Sequence, residues 1–242
     1  MAKYSELKVK NNVLKSGVHH MTSDYKTRNK NRPNHNGIDL TSMNEKHTGL
    51  TLDEIVAIED GVVLNTSYDS KSGYYVFIKH LSNMKSFYCH LAKKSFAVKK
   101  GQHVKAGDVI GMMGATGSAK GGHLHLGIRT VDNVHQDPLP YLKGTKSLVE
   151  YVKGTYEVLD PRYVRTGPGT EYSIKKVKDL TEDGKKNATS TKPTADAQYK
   201  KGTRFTARKL VLSKNGAIWA ETPSGYVCVE SAKDTQYCKK VK

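Results

Sequence analysis

"VKKGQHVKAGDVIGMMGATG", residues 98–117, decides how the first half of this chain folds. Glycines at 101, 107, 111, 114 and 117 interrupt its apolar residues too often for a helix. The spacing suits very short strands in a tightly turning sheet. Upstream, "EIVAIEDGVVLNTSY" (54–68) sets two branched-apolar runs around Asp60-Gly61, a turn pair between strands. "GYYVFIKHLSNMKSFYCHL" (73–91) repeats the arrangement, with 81–84 as its turn. In the second of those strands Phe87, Cys89 and Leu91 alternate with Tyr88 and His90, which puts His90 on the face opposite the aliphatic side chains. Downstream, "GGHLHLGI" (121–128) reads as a strand with His123 and His125 on one face. No long amphipathic helix is legible before residue 145, so this half is expected to be an antiparallel β-sheet domain.

Residues 146–155, within "KGTKSLVEYVKGT" (143–155), read as a linker. A second set of strand signals follows over 156–242: "YEVLDPRYVRTGPGTEYSIKKV", "GTRFTARKLVL", "AIWAETP" and "GYVCVE". Between them "TEDGKKNATSTKPTADAQ" (181–198) is polar and reads as a long surface loop. Short strands with frequent turns indicate a small β-barrel. The fold class is therefore all-β, with domains at 1–145 and 156–242.

The 242 residues carry 40 Lys and Arg against 23 Asp and Glu, a formal charge of +17. Up to residue 145 there are 20 basic and 12 acidic residues, and after it 20 and 11, so the excess of +8 and +9 is spread along the chain. That balance predicts attraction to a polyanion: nucleic acid, anionic membrane or anionic cell wall. No apolar run approaches the ~20 residues of a membrane span, so insertion into a membrane is not expected. "MAKYSELKVKNNVLKSG" lacks the apolar stretch and cleavage site of a secretory signal. Cys89, Cys228 and Cys238 form neither a CxxC pair nor a paired framework, which argues against a cysteine-based zinc site.

Four histidines sit in distinctive contexts: His35 in "NHNGIDL", His90 in "FYCHL", and the pair at 123 and 125. A catalytic zinc takes three protein ligands and keeps one position open for water. His35 and Asp39 are four apart across a glycine, close enough for one ion. A third ligand can come from the pair at 123 and 125, with one histidine to spare. Zinc-bound water attacking a carbonyl needs such a spare imidazole for its proton traffic, and His90 could be another. The helical HExxH signature is absent.

"HNGID", "YCHL" and "GGHLHLGI", in that order, resemble the lysostaphin-type zinc endopeptidases that cut peptidoglycan cross-bridges. "VAIEDGVV" and residues 98–117 look like that family's core sheet, of the duplicated hybrid motif type. The resemblance spans roughly residues 15–130. It implies His35, Asp39 and His125 as ligands of one Zn2+ per chain, with His90 and His123 as catalytic groups that orient water and stabilise the oxyanion. His80 is expected in a structural role. His19, His20, His47, His103 and His135 are expected in solvent, with His19 and His20 as secondary candidates for lining a cleft.

The second half resembles a bacterial SH3 domain, a wall-targeting module, through "YVRTGPGTEYSIKKV", Trp219 and "GYVCVE". Tyr163, Tyr172, Trp219 and Tyr226 are candidate wall contacts, with core packing as their other reading. Together these resemblances imply a peptidoglycan hydrolase of endolysin type. It would be made in a host cytoplasm without a signal peptide and act, after release, on a Gram-positive wall. A monomer that binds no nucleic acid is expected. The alternative is a non-catalytic wall-binding or regulatory protein of the same fold.

Overall fold

The structure is a computed structural model and describes residues 6–43, 53–82, 84–130, 132–148 and 154–241. His47, Asn83 of the 81–84 turn and residues 149–153 of the linker lie outside them. The chain divides into two compact units, Met1–Val149 and Glu150–Lys242. Both are built mostly of β-strands, and no described helix is long and apolar enough to cross a membrane.

In the first unit the strands are β1 (His20–Ser23), β2 (Ile38–Thr41), β3 (Glu54–Val56), β4 (Gly61–Asp69) and β5 (Gly73–Lys79). They continue with β6 (Lys85–Leu91), β7 (His103–Val104), β8 (Val109–Met112), β9 (Leu124–Arg129) and β10 (His135–Gln136), then a short helix α1 (Leu139–Leu142). One antiparallel sheet runs β1-β2-β9-β6-β5-β4-β7, with β10 on β9, while β3 and β8 form a separate ribbon. The period of two governs β9: Leu124, Leu126 and Ile128 are fully buried, each burial stabilising by roughly 1.5–3 kcal/mol. Ile38 and Leu40 of β2 join that core from the adjacent strand, together with Tyr88 and Leu91 of β6. The opposite face of the three central strands carries the side chains of a cleft.

β6 departs from the simple alternation. Its Tyr88 and Leu91 enter the core, whereas Phe87, Cys89 and His90 all line a cleft on the other face. His90 has a φ of +66°, and the register with β5 shifts between Tyr74 and Val76. A bulge at that point inserts one residue and moves everything after it to the other face. The expectation that Leu91 shares a face with Phe87 and Cys89 is therefore corrected.

His80 closes the turn between β5 and β6. It is fully buried, its Nδ1–H donates to the Asp60 carbonyl at 2.9 Å, and Nε2 lies 2.8 Å from Ser86 Oγ. Burial, only partly opposed by that carbonyl, pushes its pKa down to about 4. The unfolded chain takes up this proton near pH 6.5 and the folded chain does not. Stability is thus complete above pH 6.5 and declines as the pH falls towards 4, by roughly 3 kcal/mol from this group. An NMR titration should place the His80 imidazole near pH 4, and a midpoint near 6.5 would refute the assignment. His19 is likewise buried rather than solvated: its Nε2 accepts from the Val13 and Leu14 amides at 3.2 and 3.3 Å. His20 is also buried, so neither is a solvent-exposed histidine.

In the second unit β11 (Gly154–Val158), β14 (Arg204–Ala207) and β18 (Cys238–Lys240) make a three-stranded sheet in the order β14-β11-β18. A five-stranded sheet runs β13-β12-β17-β16-β15, from β12 (Arg162–Arg165), β13 (Gln198–Tyr199), β15 (Lys209–Leu212), β16 (Ile218–Thr222) and β17 (Gly225–Glu230). Gly154 and Thr155, at the end of the expected linker, are already strand residues. The expected loop at 181–198 contains a helix, α2 (Glu182–Lys186). Thr181 caps it by accepting from the Gly184 amide at 3.1 Å, with acidic residues in its first turn and lysines in its last. Trp219 is buried, whereas Tyr163 and Tyr172 are each 43% exposed and do not pack as core residues.

Candidate metal centre

Register alone brings the first residues together. Asp39 on β2 pairs with His125 on β9, which pairs with Cys89 on β6. His35 reaches the same spot from the turn before β2, four residues upstream of Asp39. Its Nε2 lies 3.0 Å from Asp39 Oδ1 and 3.1 Å from His125 Nδ1, and His125 Nδ1 is 2.8 Å from Asp39 Oδ1. Three donors of a tetrahedral ion bound at about 2.0–2.1 Å stand roughly 3.3 Å apart. These three atoms fit that triangle, and His35, Asp39 and His125 form a group able to hold a metal ion.

Neighbouring groups prepare each donor. His35 Nδ1–H donates to the Asp24 carbonyl at 2.6 Å, which leaves the lone pair on Nε2. Arg32 donates to Asp39 Oδ2 at 2.7 Å, which leaves Oδ1 for the centre. Burial alone would raise the Asp39 pKa. The close approach of His125, His35 and His123 outweighs it and holds the carboxyl well below the usual range. Burial pushes the His125 pKa down against the pull of Asp39, which favours the neutral ring a metal ligand needs.

His90 and His123 stand beside the cluster with ring centroids 4.8 Å apart. His123 Nε2 is 3.9 Å from Asp39 Oδ1, farther out than the three donor atoms. Each ring is oriented through Nδ1, His90 on the Thr116 carbonyl at 2.8 Å and His123 on the Gly121 carbonyl at 2.9 Å. Both Nε2 atoms are then proton acceptors. Burial, reinforced by the charge of His123, pushes the His90 pKa down to about 4.

A cleft of about 510 Å³ opens over the centre. Its lining includes His35, His90 and His125, but also Arg32, Arg129 and His135, which motif spacing did not single out. His135 was expected in solvent. Instead it is half-buried on the short edge strand β10, with Nδ1 on the Asn36 carbonyl at 3.1 Å. Burial first, and then the charge of Arg129, lowers its pKa. Nothing in "DNVHQDP" signals this placement, which depends on β10 folding back along β9. Cys89 lines the cleft too, but burial pushes its thiol up to about 12, so it is no nucleophile at neutral pH.

Arg32 yields a direct prediction. R32M should leave the fold intact, because the side chain is 55% exposed, yet free Asp39 Oδ2 and weaken metal binding about 10–100-fold. Competition with a zinc chelator measures this, and unchanged affinity would show that Arg32 does not orient Asp39.

Two imidazoles and one carboxylate around a common point, with further imidazoles at an open cleft, define a metal-dependent hydrolase type of centre. Residues 33–138, which hold all five of these side chains, match peptidase family M23. The chain is 38% identical over 103 residues to the peptidoglycan DD-endopeptidase ShyC of Vibrio cholerae, covering 42% of this chain and 23% of that protein. It is 36% identical over 92 residues to the glycyl-glycine endopeptidase ALE-1 of Staphylococcus capitis, covering 36% and 25%. With lysostaphin of Staphylococcus simulans it shares 33% identity over 94 residues, 37% of this chain and 19% of that protein. The chain spans a quarter or less of the length of these relatives.

Proposed function

We propose that the chain is a zinc endopeptidase that cleaves peptide cross-links of peptidoglycan. The observation that carries this reading is the meeting of His35 Nε2, Asp39 Oδ1 and His125 Nδ1 within about 3 Å of one another at a cleft flanked by His90 and His123. When bound there, zinc supplies Lewis-acid polarisation of a carbonyl and activation of water for attack on it. His35, Asp39 and His125 hold the ion. His123 and His90, each with its proton on Nδ1, take up a proton at Nε2 and return it to the leaving amine. A charged Nε2–H in the same place stabilises the oxyanion.

The names of the matched relatives, a DD-endopeptidase and a glycyl-glycine endopeptidase, support peptidoglycan as the substrate class. The charge of +17 fits an anionic wall as the target, and the chain is read as an endolysin-like monomer acting on a Gram-positive wall. The second unit is read as the SH3-like wall-binding part, with the exposed Tyr163 and Tyr172 as contacts. Replacing both by alanine should weaken cosedimentation with walls several-fold while sparing zinc content, and unchanged cosedimentation would remove them from the binding surface.

The deciding experiment incubates the protein with purified Gram-positive walls, with and without chelator, and identifies new amino termini. Glycine termini indicate cleavage of a glycyl bridge, and the amino terminus released from a D-alanyl cross-link indicates the other bond. Walls left intact under both conditions reject the enzyme and favour the non-catalytic alternative.

A further inference from the structure

Arg129 ends β9 on the cleft face, two residues beyond Gly127 and four beyond His125. Its guanidinium lies over two aromatic rings, 4.4 Å from the centroid of Phe87 and 5.6 Å from that of Phe77. Gly127 makes this platform available. A Cβ there would sit 1.7 Å from Phe87 Cζ, so only glycine lets the Phe87 ring lie across the strand opposite it. Phe87 in turn contacts the His125 ring at 5.8 Å and the His135 ring at 5.7 Å. One aromatic ring therefore separates Arg129 from a ligand of the metal centre.

Among the described residues no carboxylate is paired with the guanidinium. Its Nε is shut off from solvent and hydrogen-bonds to nothing among the described residues. Of the described residues, the Cys89 thiol is the one group that favours its charged form, and no carboxylate does. The adjoining polar group in the wall, His135, is itself held towards neutrality by burial and by Arg129. Arg129 lines the cleft, so its outer N–H groups, not the enclosed Nε, are the ones left for a ligand. A planar guanidinium pinned on a ring offers parallel N–H donors whose spacing matches a carboxylate.

We propose that Arg129, carried on Phe87 and flanked by His135, is a subsite for a carboxylate of the substrate peptide, docked one ring away from the scissile position. The inference rests on the peptidase reading for its substrate. Stem peptides carry carboxylates both at their termini and on acidic residues, and either could occupy the subsite. The cation would anchor one side of the cross-link while the bond to be cut lies over His35, Asp39 and His125. It would thereby choose between peptides with free and with amidated carboxyl groups.

The test uses the zinc-loaded full chain and one cross-linked stem-peptide dimer in three forms: all carboxylates free, only the terminal ones amidated, and all amidated. Calorimetry gives Kd and cleavage gives kcat/KM. The wild type should bind the free form about tenfold more tightly than the fully amidated form. The half-amidated form then tells whether a terminal or a side-chain carboxylate is read. R129M keeps the apolar stem on Phe87 but should lose this preference, its kcat/KM for the free form falling about tenfold, chiefly through KM. R129K should keep part of it. Equal wild-type affinity for all three forms, or an R129M protein that still discriminates, would overturn the subsite. The wild-type comparison stands even where R129M folds poorly. Discrimination in Kd with no cleavage of any form would reject the peptidase reading and support the subsite.

Discussion

His125→Ala should empty the metal centre, while His123→Ala should leave it filled and stop turnover. The two residues are neighbours on one strand face, so burial and sequence context do not separate them. Donor geometry does. His125 Nδ1 stands 2.8 Å from Asp39 Oδ1 and closes the triangle with His35, whereas His123 Nε2 is 3.9 Å from that oxygen and faces His90. Removing His125 takes away one of three protein donors, so bound zinc should fall below about a tenth of one per chain and wall lysis to background. Removing His123 takes away a group that moves a proton, an effect of about 10²–10⁴ in kcat with zinc still near one per chain. Metal analysis and wall turbidity on the two purified variants give the answer. Equal zinc loss from both would show that the division of labour is wrong.

The same comparison at residue 90 needs a different substitution. His90 has a φ of +66°, which Asn tolerates better than alanine. His90→Asn should therefore lose activity with zinc retained, whereas His90→Ala lacks the polar side chain that eases a left-handed backbone.

That left-handed residue also marks where the sequence stops being legible. The pattern of "HLHLGI" specified which face of β9 is buried, because side-chain direction in a regular strand depends only on parity. It could not do so at the end of β6, because one inserted residue reverses parity and a bulge has no obligatory composition when the residue at its corner is histidine. His35, Asp39, His90, His123 and His125 were readable as a set through the resemblance of their short motifs, in that order, to the lysostaphin-type endopeptidases. Their convergence still required the order β2-β9-β6, which local patterning does not encode. His135 and Arg129 entered the cleft through that same tertiary arrangement, β10 on β9 and Phe87 against Gly127, and so left no local trace. The helix at Glu182–Lys186 is a different case. Its Thr181 cap and its charge order were visible, but five residues with no apolar face do not register as a helix by periodicity.

Gly37→Ala should strike the metal centre directly. The φ of Gly37 is not in the left-handed range, so the residue is glycine for space alone. An added Cβ would stand 2.3 Å from the Leu126 carbonyl oxygen and 2.8 Å from both Cε1 and Nε2 of His125. The carbonyl cannot retreat without parting Ile38 from Leu126, the next rung of the β2–β9 ladder. The ring cannot retreat without leaving Asp39. Whichever yields, the segment carrying His35 two residues before and Asp39 two residues after is displaced from His125. Overpacking of this kind costs about 3 kcal/mol, and here it should abolish stoichiometric zinc as well. Gly107→Ala is the matched control. It lies at φ +86° with nothing within 4 Å of the added carbon, so it should lose about 1 kcal/mol to backbone strain and keep its zinc. Thermal unfolding and metal content of the two variants separate steric exclusion at the centre from the general intolerance of turns. A G37A protein that still binds one zinc per chain would mean that β2 and β9 can move apart without dispersing the ligands, and the register of Asp39 with His125 would no longer account for the site.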